Sequence, residues 1–164
     1  GIEMAKVNKE VKIGLIPCAV GGTPIRRWQQ NGDLYKAALK RAKLAQKDGV
    51  IKGILWHQGE GDSGKEETAK IYEAQLRAMV TAWRKDLGGG NIPIVVGEMG
   101  RFYKRAKFKH LVDAALKALP SKMKHAAWVS AEGLEHKGDV VHFNAASYRE
   151  LGKRYAAKMQ ALLR

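Results

Sequence analysis

The sequence predicts an α/β protein with a mostly parallel sheet. Four short apolar runs give that prediction: 11–17 (VKIGLIP), 49–56 (GVIKGILW), 92–98 (IPIVVGE) and 125–133 (HAAWVSAEG), each followed by glycine or polar residues and then by a helical pattern. Runs of this length, bounded this way, read as buried parallel strands. Strands alternating with amphipathic segments give the α/β class.

The helical segments follow in order. LYKAALKRAKLAQKDG is a helix stopped by Gly49. EETAKIYEAQLRAMVTAWRKDLGGG places Tyr72, Leu76, Met79, Val80 and Trp83 on one stripe, and its triple glycine ends it. HLVDAALKALP is stopped before Pro120, because proline pushes the preceding residue out of the helical region. The last helix begins near Asn144, a residue type suited to the N-cap, and carries Leu151, Tyr155, Met159 and Leu162 on one face.

A chain of 164 residues with 45% hydrophobic residues is of single-domain length and can bury a core. It contains no internal repeat, low-complexity tract or linker, so residues 1–164 read as one domain. The 30 Lys and Arg against 16 Asp and Glu give a net charge of +14. These basic residues are dispersed through KRAKLAQKDGVIK, RFYKRAKFK and YRELGKRYAAK, which reads as a solvated surface rather than a nucleic-acid site. A single cysteine, Cys18, excludes an internal disulfide, and no run is long enough to span a membrane. The amino terminus, GIEMAKVNKE, lacks a signal-peptide pattern, and the sequence assigns no compartment.

Open parallel sheets bind ligands beyond the carboxyl ends of their strands. Those ends here carry AVGGT, HQGE, GEMG and EGLEHKGDVVH, so the polar residues gather at one edge. Asp139 and His142 in DVVH are spaced so that the carboxylate can hold one imidazole nitrogen and aim the other outward, as a general base requires. The same spacing also suits a turn-capping Asp with a His packed beside Phe143. Gln58 carries an amide donor just after a strand, where it could face charge developing on an acyl oxygen. Glycines 21 and 22 let backbone amides approach a ligand. Glu60 and Glu98 suit structural hydrogen bonding beside His57 and the strand ends. Glu135, His136, Asp139 and His142 lie close together but match no familiar zinc spacing, so no metal is assigned.

Taken together, IGLIPCAVGGTPIRRW, KGILWHQGEGD, IPIVVGEMG and GDVVHFNAASYRELGKRYA resemble the SGNH/GDSL hydrolases, within them the carbohydrate esterase family 6 and sialate O-acetylesterase-like group. The resemblance runs along essentially the whole chain in the expected order. It implies a three-layer α/β/α sandwich with a flavodoxin-like sheet, and removal of acetyl groups from sugars by a Ser-His-Asp mechanism that needs no cofactor. It assigns His142 as base, Asp139 as its partner, the amide of Gly21 or Gly22 as backbone oxyanion donor, and Gln58 as side-chain donor. It makes an acetylated sugar or polysaccharide the expected partner, and an extracellular or periplasmic setting fits such enzymes. Two small departures are HQGEGD, where Ser commonly follows the Glu, and Asn144, where Asp is common.

One departure is larger. The group's nucleophile sits in a GQSN-like block after the first strand, and this sequence has no such block; GIEMAKVNKE resembles the helix that leads into the second strand. Ser63 in GDSG lies in a polar loop five positions past Gln58 and is set aside as nucleophile. Ser121 after a helix-ending proline, Ser130 within a strand and Ser147 in a first helical turn are set aside with it. In the order 2-1-3-4-5 the absent first strand lies between this chain's first and second runs. A separate amino-terminal fragment, a second copy, or direct pairing of the remaining strands could close the gap. A sugar-binding protein without turnover and, less well supported, a basic nucleic-acid-binding protein are the alternative readings.

Overall fold

A computed structural model describes residues 1–7 and 9–164. Its elements are α1 (Ile2–Ala5), α2 (Asp33–Ala45), β1 (Ile54–Trp56), α3 (Glu66–Asp86), β2 (Ile94–Gly97), α4 (Lys109–Lys122), β3 (Ala126–Val129) and α5 (Ala145–Leu162), with short 3-10 turns at Ile25–Trp28 and Glu60–Asp62. The three strands form one parallel sheet in the order β1-β2-β3. That order matches the 3-4-5 end of a flavodoxin-like sheet.

Helices cover both faces of the sheet. Ile94 and Val96 of β2, with Trp56 of β1, face the side packed by Tyr72, Leu76 and Met79 of α3 and Val112, Leu116 and Leu119 of α4. Val95 and Val129 face the other side, against Leu151, Tyr155 and Met159 of α5. The central strand is thus buried on both faces, which is why it reads as an unbroken apolar run. The stripe foreseen on α3 is the buried one. Asn144 caps α5 as foreseen, its side chain accepting the Ser147 N–H at 2.8 Å.

The amino ends of the strands are tied by Arg84 of α3. Its guanidinium donates to the carbonyls of Ile92, Lys124 and His125 at 2.9–3.0 Å, so the segments entering β2 and β3 share one clamp. At the other end, Trp28 packs edge-on against Trp56 and Trp83, with ring centroids 5.4 and 6.3 Å apart. This seats the Ile25–Trp28 turn over the end of β1.

Several sequence expectations are corrected. The run 11–17 joins no sheet: it has no strand assignment, and Val11, Ile13 and Leu15 are exposed by 50%, 39% and 69%. An apolar run becomes a strand only when a neighbour takes its backbone hydrogen bonds, and among the described residues no strand pairs with 11–17. Direct pairing of 11–17 with β1 therefore does not occur. Asn8, inside the segment likened to a leading helix, lies outside the described residues; α1 covers only Ile2–Ala5. Only residues 54–56 of the second run form a strand.

α2 ends at Ala45, short of Gly49, in turns in which the Lys47 and Asp48 amides bond to Leu44 and Ala45. α4 runs through Pro120 to Lys122. Near a helix end a proline removes one backbone bond, and the buried Leu116 and Leu119 hold that last turn in place. Ser121 accordingly lies inside α4, and Ser130 lies just past β3 rather than within it.

Candidate active site

The turn after the run 11–17 is held by Thr23. Its hydroxyl donates to the Val20 carbonyl at 2.8 Å and accepts the Trp28 indole N–H at 3.0 Å. Gly22 takes φ +69°, a conformation that side chains resist, and so turns the chain here. The amides of Gly21 and Gly22 find no acceptor among the described residues. They remain open to solvent.

Gln58, just after β1, departs from the expectation of a free donor. Its amide nitrogen donates to the Thr23 carbonyl at 2.9 Å and to Asp62 Oδ2 at 2.7 Å, and its Oε1 lies 2.9 Å from the Tyr72 hydroxyl. Both amide protons are used, so Gln58 is a brace that joins the glycine turn to residues 57–63. Asp62 completes the brace by accepting the Ile25 N–H at 2.8 Å. Burial pushes the Asp62 carboxyl above the usual carboxylate range, outweighing the bonds from Gln58 and Ile25 that pull it down. Asp62 and Tyr72 carried no site signal in the sequence. Asp62 looked like part of a polar loop, and Tyr72 stood on a core stripe.

Ser63 is likewise buried rather than in a polar loop. Its hydroxyl donates to the Gly59 carbonyl at 2.7 Å and lies 3.6 Å from Met99 Sδ. Ser147 is buried as well, its oxygen accepting the Glu135 N–H at 2.8 Å. Ser121 donates to the Ala118 carbonyl, and Ser130 to Glu98.

Glu98, at the end of β2, binds the start of the next loop. Oε2 accepts from the Ala131 N–H at 2.7 Å and the Ser130 hydroxyl at 3.0 Å, and Oε1 accepts from Arg101 at 3.0 Å. Burial pushes its pKa up, but the Ala131, Arg101 and Ser130 bonds together outweigh that and hold it low. The structural role foreseen for Glu98 is the one seen. Glu60 opens the 3-10 turn after β1, and its carboxylate has neither hydrogen bond nor ion pair among the described residues.

His57 stands where three elements meet. Its Nδ1 lies 3.2 Å from the Tyr155 hydroxyl, which donates its proton to the Trp56 carbonyl at 2.7 Å. Tyr155 Oη is then an acceptor, so His57 carries its proton on Nδ1 and leaves Nε2 as a lone pair. Gly97 makes this contact possible, because a Cβ there would lie 2.1 Å from Tyr155 Oη and 2.7 Å from His57 Nδ1. Tyr155 was foreseen only as a core residue of α5.

Desolvation among the groups packed round it lowers the His57 pKa below its ordinary 6.5, against the pull of the Glu60 and Asp113 charges, although the residue as a whole is exposed. The unfolded chain takes up this proton near 6.5 and the folded chain only at lower pH. Stability conferred by neutral His57 is therefore complete above about pH 7 and declines as pH falls through 6.5 toward the folded value. The melting temperature is expected to fall between pH 7.5 and 5.5. His57→Asn, which keeps a donor for Tyr155, is expected to flatten that dependence; an unchanged slope would remove His57 as its cause.

The pair foreseen from spacing is formed. Asp139 Oδ2 lies 2.6 Å from His142 Nδ1, and Oδ1 accepts the N–H groups of Val141 and His142 at 3.0 and 2.8 Å. Both residues sit near the tip of a hairpin closed by the Lys137 N–H to His142 O and Asn144 N–H to Glu135 O bonds. Val140, at φ +54°, makes the turn at that tip. The His142 side chain and backbone, with the Val141 amide, hold the Asp139 carboxyl well below the usual carboxylate range. His136 instead bonds within its own turn, its Nδ1 accepting the Gly138 N–H at 2.9 Å. Among the described residues no three His, Cys, Asp or Glu side chains converge as metal ligands.

Rings join the two halves of the site. Phe143, next to His142, lies 5.7 Å from the His57 ring, 5.1 Å from Phe102 and 5.5 Å from Tyr148. The hairpin that carries Asp139 and His142 is thereby packed against the end of β1.

Residues 1–161 match the family described as carbohydrate esterase, sialic acid-specific acetylesterase. The chain belongs to that family. Among relatives of this acetylesterase family, a probable carbohydrate esterase of Arabidopsis thaliana is 32% identical over 142 residues, covering 85% of this chain and 52% of the relative. This family member thus spans about half the length of that curated relative. A solved Arabidopsis thaliana structure superposes with a TM-score of 0.88 at 29% identity, covering 96% of this chain and 65% of that one. A carbohydrate acetylesterase of Xanthomonas citri gives 0.81 at 21% identity, covering 99% and 40%. NanS gives 0.70 at 18% identity, covering 82% and 54%. The last two speak to the α/β fold alone. Among the described residues no helix of this acetylesterase-family chain is long and apolar enough to cross a membrane.

Proposed function

We propose that this chain carries the base, its orienting acid and the oxyanion turn of an esterase that removes acetyl groups from sugar hydroxyls, with the nucleophilic serine supplied from outside these 164 residues. The observation that carries the reading is the 2.6 Å contact between Asp139 and His142 at a solvent-exposed hairpin tip. It leaves the far nitrogen of His142 free to take a proton.

In the proposed reaction the serine oxygen attacks the acetyl carbonyl while His142 Nε2 takes the serine proton. Asp139 holds the imidazole and stabilises the imidazolium that forms. The oxyanion is received by the open amides of Gly21 and Gly22, each such donor being worth about 3 kcal/mol in a transition state. Gln58, with Asp62, keeps that turn in place, a role its bonded amide favours over direct donation. His142 then protonates the departing sugar oxygen as the ester C–O bond breaks. A water deprotonated by His142 attacks the acyl-serine, releasing acetate and restoring the serine.

The test is acetate release from a panel of O-acetylated sugars by the chain fused at Gly1 to a strand ending in Gly-Gln-Ser-Asn. Release is expected from the fusion and not from its serine-to-alanine version. Sugar binding by both fusions with no acetate from either would overturn the esterase reading in favour of a sugar-binding protein.

A further inference from the structure

We infer that the groove between α3 and the end of α4, at the amino ends of the strands, is a binding site for a phosphate group, free or carried on a small molecule such as a sugar. It lies at the end of the sheet opposite the site built on β1 and β2, and it does not depend on the esterase reading.

The groove has a volume of about 430 Å³. One wall is a stripe of α3, on which Ala74, Ala78 and Thr81 are small enough to leave it open. Arg77 and Arg84 stand on the same stripe, since residues three and four apart share a helix face. Lys122, the last residue of α4, and Lys124 just beyond it line the other wall. Four cations therefore border the groove, and no Asp or Glu does.

Arg84 is the observation that carries the inference. It is only 6% exposed, yet no carboxylate pairs with it among the described residues. Its Nε donates to the Ile92 carbonyl and its Nη2 to those of Lys124 and His125, whereas Nη1 has no acceptor among the described residues. The only side-chain polar atoms there that are sealed from solvent without a partner are the indole nitrogens of Trp83 and Trp128, so Nη1 keeps an opening, and Arg84 lines the groove. Burial pulls the Arg84 pKa down, with no carboxylate charge to raise it again. A guanidinium taken out of water calls for an anion, and the fold gives this one only carbonyl dipoles.

The neighbouring charges set the class of ligand. Glu73 comes no closer to Arg77 than 4.0 Å, in an exposed pair that contributes little. The ammonium groups of Lys122 and Lys124 have neither hydrogen bond nor ion pair among the described residues. Several unmatched cations around one free N–H pair favour a multiply charged oxyanion over a monocarboxylate. A phosphate monoester carries roughly 1.5 to 2 negative charges at pH 7 and three acceptor oxygens. Nη1 can bond those oxygens while the lysines act as point charges. The remaining volume admits part of the molecule that bears the phosphate.

The test titrates the full 164-residue chain with inorganic phosphate at constant ionic strength, which fixes the screening, and follows the backbone amide and Arg84 Nε–H resonances. Saturation at one to one is expected, with shifts at Arg84 and residues 122–125 and none from acetate at the same concentration. Glucose 6-phosphate separates the sources: tighter binding than phosphate assigns the site to an ester, and equal or weaker binding to the free ion. Lys122→Gln combined with Lys124→Gln is expected to weaken binding by about tenfold. Lys36→Gln combined with Lys40→Gln removes the same charge from an exposed face of α2 and is expected to change it by less than about twofold. Arg84→Lys keeps a charge but loses the planar fork, and should also weaken binding; if it does not fold, the lysine pairs decide. Absence of saturation, shifts scattered over the surface, or equal weakening by the two lysine pairs would each overturn the proposal.

Discussion

His142→Ala, in the fusion that carries Gly-Gln-Ser-Asn ahead of Gly1, is expected to lower kcat for acetate release by roughly 10⁴- to 10⁶-fold. Among the described residues only Asp139 and the Lys137 backbone amide of the same hairpin bond to His142, so the fold should survive the change. Asp139→Asn is expected to lower kcat by about 10⁴-fold, because an amide can hold the ring in the wrong tautomer and cannot stabilise the imidazolium. Asp139 is well suited to that task. Its Oδ1 is held by two backbone amides, leaving Oδ2 for the ring. Steady-state kinetics, with far-UV spectra as a check on folding, decide the matter. Loss of less than tenfold in His142→Ala would remove it as the base.

Asp62→Ala is expected to be the most costly single change in stability at the site, about 3 kcal/mol. One oxygen of Asp62 accepts from both Gln58 and Ile25, and truncation leaves two donors with no partner, each worth about 1–3 kcal/mol when buried. Asp62→Asn keeps the shape and one acceptor and should cost less, about 1 kcal/mol. Urea unfolding of the two variants measures the difference. Equal, small losses in both would mean that the brace contributes little. The same change should also loosen the glycine turn that Gln58 holds.

What was legible in the sequence was local. The Asp139–His142 contact needs only a three-residue spacing on a turn, and Asn144 needs only the Ser147 amide three positions on. Neither depends on distant chain. Gln58 was placed correctly at a strand end, but its role turned on Thr23, 35 positions away, and Tyr72, 14 away. Ser63 shows the same limit. Its polar neighbours suggested an open loop, whereas Gly59 and Met99 enclose it.

The sequence by itself determined the α/β class, the parallel strands at β2 and β3, the buried stripe of α3 and the Asp139–His142 contact. These follow from periodicity and short-range bonding, which the order of residues specifies directly. Only the tertiary structure decided that Gln58 is a brace, that Tyr155 holds the tautomer of His57 across 98 positions, and that 11–17 stays out of the sheet. An apolar run states what a segment can bury; whether it becomes a strand depends on a neighbour able to accept and donate its backbone bonds.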